Sequence, residues 1–154
     1  MQATINKVQL LARDLRDGKE FPRSPRRTLG GYVLAARAVD KCRADLVGTQ
    51  GEYHSNCPLD QLWLKFAEID YQAFRAFVAT GATDAEIDVW IGEHAQKRSR
   101  ADIVVWNNKQ WDLRLSDLSP KLQEHMEDYI VSFVASHRVV YHWFDVYDLE
   151  EKRF

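Results

Sequence analysis

The sequence predicts an all-α fold, a compact multi-helix single domain of about six helices with an ordered Pro/Arg-rich loop near the N-terminus. Three observations predict it. Apolar residues recur at three- and four-residue spacing along most of the chain, which puts them on one face of successive helices. Glycines and prolines gather between those stripes rather than inside them. A hydrophobic fraction of 45% against 29% charged residues supplies both a core and a solvated surface, so residues 1–154 read as one folded domain.

In chain order, Val8, Leu11, Ala12 and Leu15 mark a first helix, ended by Asp17-Gly18. Pro22 and Pro25 then forbid a regular helix and define the Arg-rich loop. The next helix is expected from Leu29 to Leu46, its stripe being Leu29, Tyr32, Val33, Ala36, Val39, Cys42 and Leu46. Arg37, Asp40, Lys41 and Asp45 are expected on its solvated flank. Pro58 suits a first helical position, and the stripe from Leu59 through Trp63 and Ile69 to Phe77 continues from it, with Asp70 as a point of interruption. Thr83 and Ser99 each precede a carboxylate by three residues, the signature of a capped helix start, and each helix then carries a Trp, Trp90 and Trp106. Ser119-Pro120 starts a last long helix through Leu122, Met126, Tyr129 and Phe133. The aromatic tail from Val139 to Leu149 is expected as irregular helix with Trp143 and Phe144 inward, and Glu150 to Phe154 as frayed.

Charge and composition narrow the function classes. The net charge of −2 argues against nucleic-acid binding, which draws its affinity from a basic excess. No apolar run approaches the roughly 20 residues that cross a bilayer, so no membrane partner is expected. Met1-Gln2-Ala3-Thr4-Ile5-Asn6-Lys7 lacks the apolar stretch of a secretory signal, and the expected location is cytoplasmic. Cys42 and Cys57 make no disulfide framework and, without clustered histidines, no metal site; no cofactor motif is present either.

Chemistry-bearing residues crowd between Pro22 and Asp60. Arg23, Arg26 and Arg27 stand just before Gly30-Gly31, joining rigid bidentate donors to a backbone that a ligand can approach closely. With Asp40, Lys41 and Arg43 on the following helix they describe a site for a small anion. The alternative is that these arginines pair with carboxylates elsewhere and stiffen the loop. Glu52, Tyr53 and His54 are the candidate general acid–base groups, and Cys57 stands at a helix start where a thiol can be activated. The alternative there is a packed Tyr53, a loop-satisfying His54 and a Cys57 that is merely a small apolar side chain.

Pro22-Arg23-Ser24-Pro25-Arg26, Leu29-Gly30-Gly31-Tyr32, Asp40-Lys41-Cys42-Arg43-Ala44, Gly51-Glu52-Tyr53-His54 and Cys57-Pro58-Leu59-Asp60 resemble an uncharacterised bacterial family catalogued as domain of unknown function 5069. The resemblance extends over nearly the whole chain and is most specific between Pro22 and Asp60. It implies a small single-domain bacterial protein and brings no catalytic residues with it.

Three functions compete. The first is a small-molecule-binding protein or enzyme with an Arg-lined pocket for a carboxylate or phosphate ester, a small anionic metabolite, formed by segment 22–60. The second is a non-catalytic interaction module, self-associating as a homodimer through Trp90, Trp106, Trp111, Trp143, Phe144 and Tyr147. The third is a thiol- or metal-assisted enzyme centred on Cys57 and His54.

Overall fold

The computed structural model describes residues 2–154. Met1, part of the N-terminal stretch read above, lies outside the described residues. The chain is mostly helical, with eight α-helices rather than about six and a small two-stranded sheet among the described residues. None of these helices is long and apolar enough to cross a membrane.

Helix α1 (Gln2–Leu11) stops earlier than the stripe suggested. Leu15 is buried beyond its end, in a loop held by its own N–H donating to Thr49 O at 2.9 Å. The larger correction follows the Arg-rich loop. Residues 29–34 are not helical: β1 (Thr28–Leu29) and β2 (Tyr32–Val33) form an antiparallel hairpin around Gly30-Gly31. Both glycines have positive φ, as does Leu34 at 74°, so the chain cannot enter a helix until α2 (Ala35–Val47). Gly30 is also fixed by contact, since a Cβ there would lie 2.6 Å from the Ile91 side chain.

Helix α2 is buried from Ala35 to Ala44, and of the polar flank expected to be solvated only Asp45 is partly exposed. Arg37, Asp40, Lys41 and Arg43 are buried like Val39 and Cys42, so the first ten residues of the helix are enclosed on all sides. Its charges persist inside because each meets a partner, as buried charges must.

The stripe from Leu59 divides into α3 (Pro58–Ala67) and α4 (Tyr71–Val78). Glu68 takes a left-handed φ of 56°, and the Asp70 side chain accepts from Ala73 N at 3.0 Å to cap the new helix. The capped starts predicted at Thr83 and Ser99 are present in α5 (Asp84–His94) and α6 (Arg100–Trp111). Their tryptophans dock by ring stacking, Trp90 on Phe77 at 5.3 Å and Trp106 on Phe66 at 4.7 Å.

A short 3-10 turn (Leu115–Asp117) leads to α7 (Pro120–Phe133), which starts at the predicted Ser119 cap. The tail forms α8 (Trp143–Glu150), with Trp143 and Phe144 buried. Its start is fixed by the antiparallel bridge of His142 to Arg114, where Trp143 N donates to Leu113 O at 3.0 Å. The end does not fray as expected. Glu151 is buried, and Arg153 donates to Pro22 O and to the Asp148 and Glu151 carboxylates.

Candidate functional site

The Arg-rich loop and α2 are joined by carboxylates from distant segments. Arg23 grips Asp40 with two nitrogens, Nε at 2.9 Å and Nη2 at 3.0 Å, and reaches Asp84 on α5 with Nη1 at 2.7 Å. Burial opposes the Arg23 charge, but Asp40 and then Asp84 outweigh it, so the guanidinium is held more firmly protonated than usual. Arg43 donates to the same Asp84 at 2.9 Å and to Ala82 O at 2.9 Å. Burial would raise the Asp84 carboxyl, yet Arg23 and Arg43 together hold it below its ordinary range.

Arg26 turns the other way, to Asp145 at 2.6 Å and to Asp148 on α8, with its guanidinium over the Trp111 ring at 5.1 Å. Arg27 is exposed, and Gly30 donates its N–H to Asp88 at 2.7 Å. The fold therefore does not bring Arg23, Arg26, Arg27, Gly30, Asp40 and Arg43 to one ligand site. The donors of Arg23, Arg26, Arg43 and the Gly30 N–H are directed at protein carboxylates, which tie the loop to α2, α5 and α8.

The other half of the list does converge. Lys41, Glu52, Tyr53, His54 and Cys57 line one cavity of about 190 Å³. Lys41 Nζ stands at its wall, 2.9 Å from Asp60, 3.1 Å from His54 O and 3.1 Å from Cys57 Sγ. Cys57 is the N-cap residue of α3 and makes no capping hydrogen bond, so its sulfur is turned to Lys41 instead. The backbone N–H of Asn56, in left-handed conformation at φ 59°, donates to Asp60 at 2.9 Å and closes the loop.

The opposite wall was not singled out as a site in the sequence. It comprises Leu122, His125, Met126 and Tyr129 of α7 with Trp143 and Tyr147 of α8. The α7 residues follow helical spacing, so one face of that helix supplies them; read alone, that stripe is indistinguishable from ordinary core. Arg37 also lines the cavity. It pairs with Glu151 through two contacts of 2.8 Å and lies 4.9 Å from the Tyr147 ring centroid. Burial disfavours the Arg37 charge, but Glu151 more than compensates and raises its pKa. Tyr53 donates to the same Glu151 at 2.8 Å, and burial followed by the Glu151 charge pushes its hydroxyl well up, so Tyr53 holds its proton near neutral pH.

Glu52, Tyr53, His54, His125 and Tyr129 also border a second, outer groove of about 610 Å³ that continues past Phe21, Phe133 and Glu150. No group of three or more His, Cys, Asp or Glu side chains among the described residues is placed to hold a metal ion.

No curated protein matches the chain. A family model described as a domain of unknown function, DUF5069, matches residues 19–153, from the Arg-rich loop through α8 but without α1. The segments that build both walls of the cavity all fall within that match, and the chain belongs to this family, the domain of unknown function DUF5069.

Proposed function

We propose that this chain is a small-molecule-binding protein whose ligand occupies the cavity between the Glu52 to Leu59 segment and the α7–α8 pair. The observation that carries the reading is the cavity's composition. Four aromatic side chains, Tyr53, Tyr129, Trp143 and Tyr147, wall a space of about 190 Å³, while Lys41, His54 and Cys57 supply polar atoms at one side. Apolar walls with a few convergent polar groups are the usual make-up of ligand sites. The ligand is then a small molecule with an apolar, ring-sized body. The cationic side chains that line this cavity besides histidine are Arg37 and Lys41, both ion-paired, which supports an uncharged ring rather than an anion at this place.

A thermal-shift titration with 3-phenylpropan-1-ol tests the reading. A ligand that binds the folded state raises stability by about 2.7 kcal/mol at a hundredfold excess over Kd. Met126→Trp, which fills the space from the α7 side, is expected to abolish the shift; a shift that persists in this variant places the ligand elsewhere.

A second reading is favoured by one contact. The Cys57 sulfur lies 3.1 Å from the Lys41 ammonium and borders the cavity, which supports a role as nucleophile toward a ligand held there. Alkylation of Cys57 by iodoacetamide no faster than that of free cysteine would count against a thiol enzyme.

A further inference from the structure

Among the described residues, the carboxylates withdrawn from solvent are those that pair with cations. Asp40, Asp60, Asp148 and Glu151 are buried, and each lies within ion-pair distance of an Arg or Lys nitrogen. The half-buried Asp14, Asp45, Asp84 and Asp145 are likewise paired with arginines. Glu150 departs from this pattern. Among the described residues it is the one half-buried carboxylate with no Lys, Arg or His nitrogen within ion-pair distance. Its only hydrogen-bond donor is a neutral one, the Tyr129 hydroxyl. Burial raises the Glu150 carboxyl above its ordinary value, and the Glu151 and Glu52 charges push the same way against Tyr129 and Arg37.

Glu150 faces the outer groove, and so does Glu52, which makes no hydrogen bond or ion pair. The walls around these two carboxylates are aromatic: Phe21, Tyr53, Tyr129 and Phe133. Tyr129 and Phe133 pack together at 4.6 Å. The one arginine at the groove, Arg16, is occupied by Asp14 through contacts of 2.9 and 2.8 Å. Ring faces and acceptor-only carboxylates share one preference, for an organic cation, which the rings attract through their quadrupoles and the carboxylates through charge.

We infer that the outer groove is a subsite for a positively charged amine, held between Glu150 and Glu52 against the Tyr53, Tyr129, Phe21 and Phe133 rings. The inference rests on the cavity reading above: Glu52, Tyr53, His54, His125 and Tyr129 border both spaces, so a ligand with its ring in the inner cavity carries its ammonium into the groove. The substrate class becomes arylalkylamines rather than the anions that the Arg-rich segment suggested.

Three probes on one skeleton test this, 3-phenylpropylamine, 3-phenylpropan-1-ol and 3-phenylpropanoate, each titrated into the isotopically labelled protein and followed by amide and indole NMR shifts. The amine is expected to bind about tenfold more tightly than the alcohol, with the carboxylate weakest. Glu150→Gln is expected to bring the amine down to the affinity of the alcohol. Glu52→Gln alters an exposed side chain that the fold does not use, and it is expected to take away part of the same preference. Equal binding of amine and alcohol overturns the cation subsite and leaves the cavity reading standing. Tightest binding by the carboxylate overturns it in favour of an anion. If none of the three binds, the cavity reading falls and the subsite with it.

Discussion

Arg37 illustrates how charge is managed at the scale of a single residue. Its guanidinium is 2% exposed and sits between the Glu151 carboxylate, the Arg23 carbonyl and the Tyr147 ring. Breaking a buried pair from one side strands the other charge, which costs about 3–5 kcal/mol. Glu151→Gln should therefore lower stability by about 3 kcal/mol, since the amide keeps one acceptor for Arg37; urea unfolding checks this, and an unchanged midpoint would refute it. The two cysteines differ in the same physical terms. Cys42 is enclosed in α2 and its thiol is pushed up to about 11, chiefly by burial, whereas Cys57 borders the cavity. Limited alkylation of the native protein should label Cys57 and spare Cys42, as peptide mass analysis would show.

At the scale of elements, the hairpin before α2 decides how the helix enters the core. Gly30 combines a φ of 60° with a backbone pressed against Ile91 of α5, so Gly30→Ala meets both strain and overpacking. A loss of roughly 2–4 kcal/mol is expected from these two costs, measured by denaturant unfolding with circular dichroism. By comparison, Asp70→Ala removes only the cap that starts α4 and should cost about 1 kcal/mol. The capped starts at Thr83, Ser99 and Ser119 were legible from the sequence because a cap is a local event, complete within four residues. The hairpin was not. Tyr32, Val33 and Val39 keep helical spacing, and the signal that overrides it is the left-handed backbone of Gly30, Gly31 and Leu34, which periodicity does not report.

Across the whole molecule, stability is tied to the ionised state of paired carboxylates. Asp84 and Glu151 both have folded pKa values below their ordinary 3.8 and 4.5: burial works against this, and Arg23 for Asp84 and Arg37 for Glu151 outweigh it. A carboxyl that is lowered on folding contributes its stability above the unfolded value and loses it as pH falls through the folded one. The melting temperature should therefore hold down to about pH 4.5 and fall steadily below it. Glu150, raised on folding, acts in the opposite sense, and Glu150→Gln should slightly lift stability near neutral pH; a melting curve at pH 7 tests the sign. By itself the sequence determined the helical class, most helix starts and the inward turn of Trp143 and Phe144, and it singled out Lys41, Glu52, Tyr53, His54 and Cys57, which line one cavity. These follow from periodicity, caps and residue chemistry within short windows. Only the tertiary structure showed which carboxylates Arg23, Arg26 and Arg43 pair with, because these stand at positions 40, 84, 145 and 148. It also decided that α7 and α8 close the cavity and that Glu150 is left without a cation, since pairing depends on distances in space that no local pattern encodes.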